Sequence, residues 1–256
     1  MAKIDIVLQE GVLFNRKYLN QHGIANTAID YYLRSGKIEA VSHGLYRKPG
    51  PPLKWESIIY SLKLMGHEVH VGHLTALNYH GLFHYLKLES SSLEEIRLYS
   101  SDKLPSWLDN LDSNTNFLLM KQNPFLKVNT GMVEVPFGTW DWPIKYSTPE
   151  RAFIETVSTT KTEIEINELK LMLEGAVNLR PTLLQQLLEE SHNIKAKRLF
   201  LYLARVVAHP WYNYLDLSKI DLGSGKRQII RGGALDPEFQ ITIPKEVKNG
   251  QESSVL

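Results

Sequence analysis

The 256-residue sequence contains no cysteine. That excludes disulfides, thiolate zinc sites and cysteine nucleophiles. No apolar run approaches the roughly 20 residues of a membrane-spanning helix. The opening stretch from Met1 to Leu8 carries Lys3 and Asp5, and its apolar run is too short for a secretion signal. The chain therefore reads as a soluble, cytoplasmic protein. Also missing are a Walker loop, a Gly-x-Ser-x-Gly elbow, a His-Glu-x-x-His motif, internal repeats and low-complexity tracts. What is present is an ordinary folded composition, 43% hydrophobic and 22% charged, well able to bury a core.

Charge is balanced overall at +1 but not along the chain. Residues 1–54 hold 8 basic and 4 acidic residues, 55–191 hold 11 and 18, and 192–256 hold 10 and 6. Two basic ends flank an acidic middle, an asymmetry that points to a polyanion at the ends.

Lys3 to Glu10 reads as a short amphipathic helix closed by Gly11. Asn15 can cap a second helix, Arg16 to His22, ended by Gly23, and a third runs from Thr27 to Ser35 before Gly36. Two extended runs, Lys37 to Ser42 and Leu45 to Lys48, meet at His43-Gly44, a hairpin signal. Three helices and a hairpin are the order of a winged helix-turn-helix, and Pro49-Gly50-Pro51-Pro52 makes a boundary after it. Beyond it, helices at Trp55 to Met65 and His73 to His80 and strands at Glu68 to Val71, Glu95 to Ser100, Asn116 to Lys121 and Met132 to Pro136 are expected. Trp140-Asp141-Trp142-Pro143 reads as a turn or edge element. Helices follow near 149–157, 166–177, 181–191 and 194–208, then two extended runs around Gly232-Gly233. The expected fold is α+β: a winged helix-turn-helix in 1–50 and a larger mixed α/β domain in 51–256.

On the third helix, a 100° step puts Ile29 and Leu33, with Tyr32 beside them, on one side and Thr27, Tyr31 and Arg34 on the other. The second set is free to enter a major groove. Around it stand Asn26, Arg16 and Lys17, Lys37, His43 at the wing tip, and Arg47 and Lys48 at the wing's end. These supply phosphate contacts, while the helix face supplies base contacts. The same pattern also serves protein–protein contact without DNA.

Other chemistry finds less support. His67, His70, His73, His80 and His84 cluster in sequence, but no pair sits cleanly on one helical face, so no metal is expected. Helix capping at His73 and packing or hydrogen bonding at His80 suit neutral imidazoles. Gly223-Ser224-Gly225-Lys226-Arg227 is either a phosphate contact on nucleic acid or a polar surface turn. Arg198, Tyr202 and Arg205 share one face of the helix over 194–208, so Arg198, Arg205, Lys226 and Arg227 form a second candidate nucleic-acid contact. No catalytic residues and no cofactor are expected.

The residues also carry a resemblance. Gly23-Ile24, Leu33, Gly36-Lys37-Ile38 and His43-Gly44-Leu45-Tyr46, then His73-Leu74-Thr75-Ala76-Leu77 and His80-Gly81-Leu82, resemble the AbiEi antitoxins. Lys197 to Leu201, Leu222 to Arg227, Gly232-Gly233 and Ile241-Thr242-Ile243-Pro244 are similar to that family's C-terminal region. These are the transcriptional-regulator halves of type IV toxin-antitoxin, or abortive-infection, operons. The resemblance implies a winged helix that binds double-stranded DNA at its own operator and represses it. It also implies a C-terminal domain with antitoxin activity that assists cooperative operator binding. The implied functional partner is a nucleotidyltransferase-like toxin, opposed without the need for a stable complex. The Gly-Ser here is not followed by paired aspartates, so the chain is unlike the toxin half. No motif of the family stands in residues 85–145.

Overall fold

Asn15 ends a two-residue strand, β1 (Phe14–Asn15), and caps the helix after it, its side-chain oxygen accepting from the Tyr18 amide at 2.8 Å. That helix is α1 (Arg16–Gln21), and a tight turn leads to α2 (Asn26–Arg34). The hairpin β2 (Glu39–Ser42) and β3 (Leu45–Arg47) turns at Gly44, whose φ of +71° is one that L side chains rarely adopt. β1 pairs antiparallel with β3, opposing Phe14 to Tyr46, so the wing is a three-stranded sheet in the order β1-β3-β2. The computed structural model describes residues 4, 7–82, 94–111, 114–125 and 129–245. Within the first expected helix, Ile4 and Val7 are helical and the Leu8 amide bonds the Ile4 carbonyl; the remaining positions before Val7 lie outside the described residues.

The described chain packs as two compact units, one of Met1–Val71, Ser91–Met120 and Glu134–Tyr146, the other of Gly72–Ser90, Lys121–Val133 and Ser147–Leu256. In the first, the core of the winged helix joins Ile4, Leu8, Leu19, Ile24, Ile29, Ile38 and Tyr46 to a residue far along the chain, Trp142. Trp142 is 5% exposed, lies flat on Tyr60 at 5.0 Å between centroids, and donates its indole N–H to Gln9 at 2.8 Å. The stretch expected as a turn or edge thus holds a turn at Asp141 (φ +50°) and then a buried anchor. The unit also contains α3 (Trp55–Leu64), whose Ser61 hydroxyl accepts from the Leu13 amide.

A five-stranded sheet has the order β6-β5-β4-β8-β7, from β4 (Val69–Val71), β5 (Glu94–Ser100), β6 (Thr115–Leu119), β7 (Met132–Phe137) and β8 (Trp142–Ser147). β4 runs antiparallel to β5 and parallel to β8, and β5 runs parallel to β6. The strands expected from the sequence are present, with β8 added.

The second unit is built on helices: α4 (His73–Tyr79), α5 (Pro149–Thr159), α6 (Glu163–Gly175), α7 (Pro181–Glu190) and α8 (Ile194–Val207). α5 and α7 each open on a proline, whose missing N–H costs nothing at that position. α6 starts at Glu163 rather than at 166, because Thr162 and Glu165 form a capping box that begins it one turn earlier, with Glu163 and Glu165 in its first turn. β9 (Arg227–Gln228), β10 (Ala234–Asp236) and β11 (Ile241–Ile243) form a small sheet in the order β10-β11-β9. At Gly233 a Cβ would lie 2.3 Å from the Ile243 carbonyl oxygen, so only glycine allows this close approach.

Two ion pairs organise this unit. The Arg151–Glu155 pair on α5 is wholly buried. Glu150 accepts from the Arg180 backbone amide and from both edges of its guanidinium at 2.9–3.0 Å. Burial pushes the Glu150 carboxyl up, but the bonds from Arg180 outweigh it and hold the group below its ordinary range. A depressed carboxyl contributes stability above its unfolded pKa and loses it as pH falls through the folded one. Glu150→Gln should therefore cost about 2 kcal/mol at neutral pH, reduced because Arg180 is largely exposed. The difference from wild type should shrink below about pH 4.5, as measured by urea denaturation across pH.

Candidate nucleic-acid interface

α2 divides as its spacing predicts. Ile29 is fully buried, with Ala28, Tyr32 and Leu33 packed partly against the same core. Asn26, Thr27, Asp30, Tyr31 and Arg34 are exposed, Tyr31 to 57%. The outward face therefore offers an amide, a hydroxyl, a phenol and a guanidinium, the donor and acceptor types that read base edges and phosphates. It also carries a carboxylate, Asp30, which repels a polyanion unless neutralised.

Arg16 does that. Its Nη2 meets Asp30 at 2.6 Å and its Nε donates to the Tyr46 hydroxyl at 3.0 Å, tying α1 to α2 and to the wing. These bonds raise its pKa further, Asp30 contributing most. Arg34 donates to the Asp30 carbonyl from the other side. Arg47 is likewise engaged: Nε on Glu39 at 2.5 Å, Nη1 on the Pro51 carbonyl and Nη2 on the Gly50 carbonyl. It laces β3 to β2 and both to the proline-rich connection. Lys17, Lys37 and His43 are exposed, with the Lys37 ammonium over the Tyr32 ring at 5.8 Å, and Lys48 is half-buried.

The second candidate contact separates into two kinds of residue. Arg198 is 3% exposed, and its guanidinium donates to the carbonyls of Leu222, Gly223 and Gly225. Contrary to the amphipathic reading, it faces inward and shapes the Gly-Ser-Gly loop from beneath. Arg205 is half-buried, paired with Asp236 at 2.6 Å and with Glu238, and stacked over Tyr202 and Phe239. It clasps the β10–β11 segment onto α8 and is not open to a ligand in this geometry. Tyr202, between them, is buried with its hydroxyl unpaired among the described residues, and desolvation pushes it up to about 12. Lys226 and Arg227 are exposed on the loop that Arg198 holds.

His73 and His80 have structural partners. The His73 backbone amide bonds Glu155 at 3.0 Å while its ring Nε2 meets Thr159 at 2.7 Å, and His80 Nε2 meets the Ser147 carbonyl at 2.9 Å. The cap of α4 is Gly72, not the His73 side chain. His84 lies outside the described residues. Among the described residues, no three His, Asp or Glu side chains group as a metal site needs, and no helix is long and apolar enough to cross a membrane.

With this geometry in place, two family models cover the chain. Residues 3–88 match the AbiEi antitoxin N-terminal domain of transcriptional regulators, and 93–244 match the transcriptional regulator, AbiEi antitoxin, of type IV toxin-antitoxin systems. The chain belongs to the AbiEi antitoxin family. The matches span both halves, including 93–145, where the sequence offered no recognisable motif. A crystal structure of the RV2827C protein from Mycobacterium tuberculosis has the same fold: TM-score 0.54, 16% identity, covering 94% of this chain and 89% of that one. Among curated proteins none matches this chain.

Asp30 is not among the contacts expected of the sequence, although it neighbours Tyr31 and is exposed with it. The internal use of Arg16 and Arg47 had no sequence signal. Their partners lie on other elements, 14 and 8 residues away.

Proposed function

We propose that this AbiEi-family protein is a non-enzymatic, DNA-binding antitoxin that represses its own operon through α2 and the β2–β3 wing. In this reading it opposes a nucleotidyltransferase-like toxin, and 51–256 carry that second role. The observation that carries the DNA reading is the exposed Thr27, Tyr31 and Arg34 face on a helix packed through Ile29, beside a three-stranded wing. Lys17, Lys37, His43 and Lys48 provide phosphate contacts, Asn26 reaches the groove edge, and Arg16 and Arg47 mainly hold the frame. Lys226 and Arg227 extend the contact.

Fluorescence-anisotropy titration against DNA upstream of the gene tests this. Arg34→Ala should lose about 1–3 kcal/mol of discrimination, a 5- to 150-fold relaxation of base preference. Lys17→Gln and Lys37→Gln should weaken all sequences alike and flatten the logarithmic salt slope by about 0.9 for each phosphate left unneutralised. These lysines are cleaner probes than Arg47, whose removal also unlaces the wing. No preference for the upstream sequence at modest salt would overturn the repressor reading. The engagement of Arg16 and Arg47 within the chain favours one alternative, a winged helix that contacts protein only. Co-purification with the neighbouring gene product and no DNA affinity would select it.

A further inference from the structure

The buried Arg198 decides which way the loop after Asp221 faces. Its guanidinium donates to the carbonyls of Leu222 at 2.7 Å, Gly223 at 3.0 Å and Gly225 at 2.6 Å. Left-handed backbone at Gly223 (φ +61°) and Gly225 (φ +72°) lets these carbonyls converge on one cation. In a planar trans peptide the N–H points away from the carbonyl it shares a plane with, and no peptide here is cis. Three carbonyls drawn inward therefore turn three amides outward, those of Gly223, Ser224 and Lys226. The first already holds an anion, the Asp221 carboxylate at 2.8 Å. The Ser224 and Lys226 amides and the Ser224 hydroxyl have no partner among the described residues, and residues 223–228 are exposed.

Positive charge gathers on the same stretch. The Arg227 Nη1 donates to the Lys226 carbonyl at 3.3 Å and lies 3.8 Å from where a Cβ on Gly225 would stand. Burial, and then repulsion from Arg227, lowers the pKa of Arg198. Lys197, buried beside Arg198 in sequence, makes no hydrogen bond or ion pair among the described residues, and burial lowers its pKa while Asp221 partly offsets that. An incoming anion would relieve this crowding of cations.

We propose that the outward amides of Ser224 and Lys226, with the Ser224 hydroxyl and the Lys226 and Arg227 side chains, bind a phosphate group, and that Arg198 is the positioning residue. Outward N–H groups on a glycine-rich turn suit a compact oxyanion. A carboxylate has two oxygens in one plane, and that of Asp221 takes a single loop amide. A phosphate has oxygens on all sides of its centre and can meet donors from 224, 226 and 227 together. If the phosphate belongs to a nucleic-acid backbone, the site deepens the contact proposed above for Lys226 and Arg227 and rests on that reading. A free phosphate or phosphomonoester does not need it.

Proton–nitrogen NMR of the full chain tests this, with inorganic phosphate as the probe and ionic strength held constant with chloride. The Ser224 and Lys226 amide resonances should move to lower field and saturate at roughly millimolar phosphate. A duplex of unrelated sequence separates the sources. Movement of the same two amides with the duplex assigns the loop to a nucleic-acid backbone, and movement with inorganic phosphate alone assigns it to a free phosphate. Arg227→Gln should weaken phosphate several-fold. Asp221→Asn should tighten it several-fold, since it removes a like charge and keeps an acceptor for the Gly223 amide. Arg198→Lys keeps the charge but not the fork, and should abolish both amide shifts with circular dichroism unchanged. If that variant does not fold, the two exposed substitutions still decide. The proposal is overturned if neither probe moves the two amides, if chloride moves them as far as phosphate does, or if Asp221→Asn weakens binding. The phosphate titration involves no operator, so its failure leaves the winged-helix reading standing, and the reverse holds as well.

Discussion

Glu155→Ala is expected to cost about 3–5 kcal/mol, a large share of the roughly 5–15 kcal/mol that holds a protein of ordinary stability together. The reason lies in what the substitution strands. The Glu155 carboxylate accepts from Arg151 Nε at 2.8 Å, from the Ser147 hydroxyl at 2.9–3.0 Å and from the His73 amide at 3.0 Å, all without solvent. Its removal leaves a buried guanidinium without its counter-charge. That guanidinium also donates to the Thr130 carbonyl and lies over the Phe125 ring at 4.4 Å, so its displacement would disturb both segments. Arg151→Met with Glu155→Leu removes both charges and should cost less than Glu155→Ala alone, because a paired deletion leaves no unmatched ion. Urea denaturation followed by far-ultraviolet circular dichroism measures both. Equal costs would mean that the pair is screened by water that this geometry excludes.

The same residue pair shows where sequence legibility ends. Arg151 and Glu155 stand four apart on a helix, a spacing that ordinarily means a solvated surface pair. The packing of α4, α7 and α8 against α5, with Asn123 and Thr130 bonded to Arg151, makes it interior. Local features were readable because their physics is local: the Asn15 cap, the Gly44 turn and the inward Ile29 against the outward Thr27, Tyr31 and Arg34 follow from dihedral preference and a 3.6-residue period. β1 was not readable, since two residues have no periodicity and its partner β3 lies about 30 positions on. The sequence also shows which side chains carry positive charge but not whether that charge is free. Arg198 and Arg205 have the same chemistry as Arg227. The first two face carbonyls and carboxylates folded over them, while the third faces solvent.

This distinction reorganises the candidate DNA surface. Of its arginines, Arg34 alone combines exposure with a place on the outward face of α2, whereas Arg16 neutralises Asp30 and Arg47 fixes the wing. Removing Asp30 would free Arg16 while α1 and α2 stay joined through Leu19 and Ile29 in their shared core, since an exposed ion pair contributes little to stability.

The second large effect is expected at Trp142, more than a hundred positions beyond α2. Trp142→Ala should cost about 3–5 kcal/mol, the range for deleting a buried aromatic. The indole fills the open side of the winged-helix core against Tyr60, approaches Phe137 and bonds Gln9. A cavity there loosens Ile4 and Leu8, and through their shared core with Leu19 and Ile29 it loosens α1 and α2. The expected signature is a loss of thermal stability together with weaker binding of all DNA sequences, without the selective loss of base preference assigned to Arg34→Ala. Trp142→Phe should recover part of the stability, because it keeps an aromatic ring against Tyr60 but gives up the bond to Gln9, worth about 1 kcal/mol, and the buried volume of the second ring. Differential scanning calorimetry and anisotropy on the three proteins would show the pattern. If Trp142→Ala left the melting profile intact, the winged helix would close its core without the distant tryptophan, and residues 1–50 would fold as a self-sufficient domain.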